Sequence, residues 1–112
     1  MDKLLIVLLI TAFFIILDVL TGVTKCLSTK SYDSSKMREG LYHKLGSVLC
    51  IAFSMLCDFS QRYLDIGVII PITKTVCAYI CIMEIGSIIE NICILNPDIL
   101  PDKIKQYFKK LK

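Results

Sequence analysis

The chain has 112 residues, 55% of them hydrophobic and 21% charged, and a formal net charge of +3; its mean hydropathy is +0.69. One domain is the expectation at that length, and the apolar content is too high for an ordinary soluble one. The modest positive charge flanks apolar blocks instead of forming a basic face with aromatic or helix-turn-helix context, which argues against nucleic acid and for anionic lipid as the counter-charge.

Leu4 to Leu17 carries no charge. Asp18 interrupts the run and Val19 to Leu27 continues it, with Lys25 alone charged. Crossing the hydrocarbon needs about 20 residues, which predicts a first span over 4–24. No small-x-small cleavage site follows, so the segment reads as a retained anchor and not as a signal peptide. Residues 25–44 are polar and basic, and predict a loop with room for a short interfacial helix from Ser35. A second span is predicted over 45–64, where Gly46, Cys50 and Ser54 fall four apart on one helical face and offer a close-packing surface.

Residues 66–95 form the third apolar region. Pro71 breaks it, so the third span is placed at 73–95, with Asn96 and Pro97 ending it. The tail over 97–112 repeats Ile104, Tyr107, Phe108 and Leu111 at helical spacing among Lys103, Lys105, Lys109, Lys110 and Lys112. Two readings stand for it: a basic amphipathic helix on the membrane surface, or a solvated end. The whole, 1–112, is therefore expected to be one all-α integral membrane domain with about three transmembrane helices.

Lysine and arginine set the orientation. The first loop with its flanks holds Lys25, Lys30, Lys36, Arg38 and Lys44, and the tail holds five lysines. Lys3, Arg62 and Lys74 fall on the other side. Three crossings put the two basic patches together, which predicts the N-terminus outside and the C-terminus in the cytoplasm. Lys30, Lys36, Arg38, Lys44, Lys103, Lys105, Lys109 and Lys110 are the expected membrane-surface cations.

Charged groups within the spans cost about 2.5 to 3.5 kcal/mol each at the bilayer centre. On the first span, Thr11, Asp18, Thr21, Gly22 and Lys25 share about a third of the circumference at 100° per residue. On the third, Thr73, Cys77, Glu84, Ser87 and Asn91 share a face, with Glu90 beside it. Asp58 lies at the end of the second. Such seams face protein or water. They serve either as hydrogen-bonding glue between helices or as the lining of an aqueous lesion, and one three-helix unit is expected to hide too few of them without other copies. Gly22, Gly46, Cys50 and Ser54 are the candidate packing positions.

The six cysteines form no C-x-x-C pair, and His43 is the single histidine. Thiolates and imidazoles at zinc-site spacing are missing, so the cysteines read as small packing residues and no metal is expected. There is no Gly-rich phosphate loop and no H-E-x-x-H, so neither an enzyme nor a cofactor is expected.

Asp18-Val19-Leu20-Thr21-Gly22, followed by Lys25, resembles the D-x-x-T-G signature in the first span of the toxin-secretion/phage-lysis holin family. Ser35 to Leu41, then Lys44, is similar to its S-x-x-x-x-G-L-x-x-K loop. Asp58 matches an acidic position ending the second span. Glu84, Ser87, Ile88, Ile89, Glu90 and Asn91 resemble its E-x-x-S-I-I-E-N motif, and Pro97 to Pro101 its proline-bearing stretch. The motifs run in the family's order from Asp18 to Pro101. The resemblance implies a phage-type protein of the bacterial cytoplasmic membrane that forms homo-oligomers and opens lesions. An endolysin or a toxin would be the passing cargo, and an antiholin a further partner. It equally fits an antiholin that poisons such lesions. Intramembrane carboxylates alone would also suit a small ion-coupled transporter subunit, but the inverted repeats expected of one are not seen.

Overall fold

The structure is a computed structural model and describes residues 2–65 and 67–99, with Pro101 and Gln106. Helix α1 spans Lys3–Ser28, α2 spans Ser34–Ser60 and α3 spans Ile72–Leu95. All three are long and apolar enough to cross a membrane. At 1.5 Å per residue, their 26, 27 and 24 residues extend about 39, 40 and 36 Å, against a hydrocarbon core of about 30 Å.

Each boundary has a local cause. Asp2 caps α1 by accepting from the Leu4 N–H at 3.3 Å. At the other end Lys30 takes a left-handed conformation, φ 55°, and the Ser31 N–H reaches back to the Cys26 carbonyl at 3.0 Å. That is the hydrogen bond of a Schellman stop, made here without glycine. Asp33 then caps α2, accepting from the Ser35 N–H at 2.9 Å. The polar stretch expected as a loop over 25–44 is accordingly helical except for 29–33. Lys25 lies in the last turn of α1, while Lys36, Arg38 and Lys44 ride on α2. The Asp33 cap is strong enough to start the helix before the hydrophobic run begins, and the second helix ends at Ser60 rather than at 64.

The start of α3 is unusual. Pro71 occupies the cap position and offers no side-chain hydrogen bond. Asp58, from the last turns of α2, supplies it instead: Oδ1 accepts from the Ile72 N–H at 3.0 Å and Oδ2 from the Thr73 N–H at 2.9 Å. Gln61 ties the same corner, accepting from the Ile70 N–H at 2.7 Å and donating to its carbonyl at 3.0 Å. A side chain of the preceding helix thus satisfies donors that would otherwise be orphaned.

Packing makes α3 the central helix. The order of the hydrogen bonds sets it parallel to α1 (Thr11 to Cys81, Asp18 to Asn91) and antiparallel to α2 (Lys44 to Glu84, Asp58 to Thr73), whereas α1 and α2 scarcely touch each other. Its buried residues, Thr73, Cys77, Ile80, Glu84, Ile88 and Asn91, recur at intervals of three and four, the seam of helices packed side by side. The distribution of polarity is inverted relative to a water-soluble bundle. Six of the nine buried residues among those described are polar: Thr11, Asp18, Ser54, Thr73, Glu84 and Asn91. The outer face carries Phe13, Leu20, Phe53 and Tyr79, each more than half exposed. Water would penalise that surface at roughly 25 cal/mol per Å², and lipid removes the penalty.

Candidate functional site

The seams of the three helices meet at one cluster. Asp18 comes from α1, Lys44 from α2 and Glu84 from α3. The Lys44 ammonium donates to Asp18 Oδ2 and to both oxygens of Glu84, at 2.7 and 2.6 Å. Asn91 Nδ2 donates to Asp18 Oδ1 at 3.2 Å and to Thr21 Oγ1 at 3.1 Å. The Asp18 and Glu84 side chains are each 6% exposed and that of Lys44 is 24% exposed.

Depth follows from the helical rise. Glu84 lies about 18 Å from the start of α3 and about 17 Å from its end. Asp18 is about 15 Å from the loop end of α1, and Lys44 about 15 Å into α2 from the same loop. The three charges therefore sit at one level, deep in the bundle. There an unpartnered charge would be expensive, and each carboxylate shares the single ammonium.

Several polar residues of the first and third helices converge. Asp18, Thr21, Glu84 and Asn91 lie in or beside the cluster, and Ser87 and Lys25 are half-buried next to it. Gly22 packs beneath Asn91, whose Nδ2 would lie 3.6 Å from an added Cβ. Higher on the same seam Thr11 Oγ1 shares a hydrogen bond of 3.4 Å with Cys81 Sγ. Glu90 is exposed on the flank of α3. Asp58 is about 21 Å along α2 from Lys44 and caps α3 instead of joining the charges. Of the stripe of three small residues on α2, Ser54 is buried, whereas Gly46 and Cys50 face outward along an apolar groove beside Tyr79 and Met83. Lys30, Lys36 and Arg38 are exposed towards the loop end. Lys103, Lys105, Lys109 and Lys110 lie outside the described residues.

Two expectations change. Lys44, expected at the membrane surface, is the centre of the buried cluster, because α2 begins ten residues earlier and carries it a helical half-length away from the loop. The charged seams were expected to need other copies for partners, yet one chain pairs Asp18, Lys44 and Glu84 internally. The signal for Lys44 was its register: it stands seven residues before Ile51 and fourteen before Asp58, both on the inward side of α2.

The comparisons with known proteins give the family. The full length, residues 1–112, matches the model of the bacteriophage holin family. The chain belongs to the bacteriophage holin family. It is also similar to an uncharacterised 14.9 kDa protein of the nagH 3′ region of Clostridium perfringens. The identity is 37% over 99 residues, covering 88% of this chain and 70% of the relative. No solved structure matches. Holins are membrane proteins rather than enzymes, and the three spans make this one a multi-pass protein of the cytoplasmic membrane.

Proposed function

We propose that the chain is a lesion-forming holin. It accumulates in the cytoplasmic membrane, assembles with copies of itself and opens a path for an endolysin or a toxin. The observation that carries this reading, within the family, is the charge cluster at the centre of an otherwise lipid-facing bundle. In the closed chain Lys44 holds α1 and α2 to α3 through Asp18 and Glu84. Because α1 and α2 scarcely touch, moving one of them from α3 parts the cluster and bares a continuous polar seam: Thr11, Asp18 and Thr21 on one side, Glu84, Ser87 and Asn91 on the other. Bare polar groups are unstable in lipid, so separated seams must meet water or the seams of other copies. An aqueous lesion ringed by such seams satisfies both demands, with the apolar outer faces left towards lipid.

The test is inducible expression in a bacterium, following membrane potential, growth and release of a co-expressed endolysin. Depolarisation and release after a lag are expected. Persisting growth and potential despite verified insertion would sink the lesion-forming role.

A further inference from the structure

A cavity of about 390 Å³ opens between α1 and α2 at their loop end. Its floor is the Asp18–Lys44 pair, and its walls include Val23, Met37 and Leu41. Lys25 and Lys36 stand at its rim. Lys25 is three residues from the end of α1 and Lys36 two residues into α2, so both lie within about 5 Å of the loop end along their helices. Among the described residues neither ammonium has an ion-pair partner. Asp18 is paired with Lys44; Asp33 caps α2 through the Ser35 N–H and keeps its charge, so the lining carries Lys25, Lys36 and Lys44 against the Asp18 and Asp33 carboxylates, an excess of one cation.

We infer that this cavity binds the phosphate headgroup of an anionic phospholipid, held by Lys25 and Lys36, between α1 and α2. Three features select a lipid over other anions. The two uncommitted ammoniums sit where the span meets the headgroup layer, and basic pockets between transmembrane helices at that level suit anionic headgroups. The apolar walls accept the glycerol and the first methylenes. The helices bounding the opening present Leu20, Leu27, Leu41 and Leu45, all more than half exposed, along which acyl chains can run. A lipid so placed fills the space between two helices that do not pack on each other and sits directly over the charge cluster. The inference concerns a binding site and stands whether or not the chain forms lesions.

Native mass spectrometry of the purified full-length protein tests it, using phosphatidylglycerol and phosphatidylcholine with identical acyl chains and inorganic phosphate as a separate arm. Retained phosphatidylglycerol is expected to exceed phosphatidylcholine. The double variant K25Q/K36Q should lose phosphatidylglycerol about tenfold, while the charge-matched K3Q/K74Q stays within about twofold of the parent. K25R/K36R, which keeps both charges, should retain the lipid, and this arm guards against a folding defect in the glutamine variant. Equal retention of the two lipids overturns the inference, as does an equal loss in K3Q/K74Q. Displacement of the lipid by millimolar phosphate assigns the cavity to a free anion and also overturns it. So does lipid-free protein found only as dimers, which assigns the space to a second copy.

Discussion

At the scale of single residues, Lys44 is the group on which the arrangement depends. Among the described residues it is the one cation facing two buried carboxylates, so removing it leaves both uncompensated. Truncating one partner of a buried ionic network typically costs about 3 to 5 kcal/mol. Lys44 is a quarter exposed, which places Lys44→Met at about 3 kcal/mol, the lower end of that range. The measurable outcome is an earlier midpoint of detergent-induced helix loss, followed by circular dichroism in micelles. Making the site neutral throughout, with Asp18→Asn, Glu84→Gln and Lys44→Met together, should restore most of the loss, because amides and an apolar chain need no counter-charge. Additive losses across the three substitutions would show that the groups do not act as a network. All of this cluster but Lys44 was legible in the sequence. Asp18, Glu84 and Asn91 interrupt apolar runs, and a polar residue in such a run must face inward. Lys44 carries only the weak signal of its seven-residue register with Ile51 and Asp58, because it adjoins a polar stretch in which a lysine at a membrane surface costs nothing, and the early start of the second helix takes it inside.

The three elements differ in how much of their boundaries their own residues determine. The Asn-Pro pair after α3 fixes its end locally and the structure follows it, whereas α1 continues one turn past its expected end, to Ser28. The first turns of α2 are different: Ser34, Ser35, Lys36 and Arg38 look like loop, but Asp33 caps them and the seam continues backward through Met37. The start of α3 depends on another element altogether. With Pro71 in the cap position, the Ile72 and Thr73 N–H groups rely on the Asp58 carboxylate of α2, one oxygen to each. The sequence showed Asp58 as a polar group near a span end; its partners fourteen and fifteen residues away become visible only when α2 and α3 fold back on each other. Loss of a helix cap costs about 1 kcal/mol, with an upper range near 2. Asp58→Ala should therefore destabilise the corner by about that amount, and amide exchange at Ile72 and Thr73 should accelerate by about tenfold. Asp58→Asn keeps an acceptor oxygen and should fall between alanine and the parent. Unchanged exchange at both amides in the alanine variant would remove the capping role.

For the whole molecule, the arrangement of three spans turns charge into orientation. The buried cluster withdraws Lys44 from the surface, so it no longer counts towards the side that its neighbours favour. The remaining asymmetry is still large: Lys25, Lys30, Lys36, Arg38 and five tail lysines on one side, against Lys3, Arg62 and Lys74 on the other. Because the loop between α1 and α2 is short and its cations lie within one or two turns of the span ends, they fall in the zone where the positive-inside bias acts. Three crossings then predict a C-terminus on the same cytoplasmic side. Fusing reporters after Lys112 reads this directly: a fluorescent protein should mature there and alkaline phosphatase should stay inactive. Alkaline phosphatase fused within the α2–α3 connection, at Asp65, should be active. Replacing Lys30, Lys36 and Arg38 by glutamine leaves the internal Lys44 network intact and removes three of the nine orienting charges. It should convert part of the population to the opposite orientation, with phosphatase activity appearing at the C-terminus. An active phosphatase after Lys112 in the parent chain would reverse the assignment and place the lipid-binding cavity on the outer leaflet.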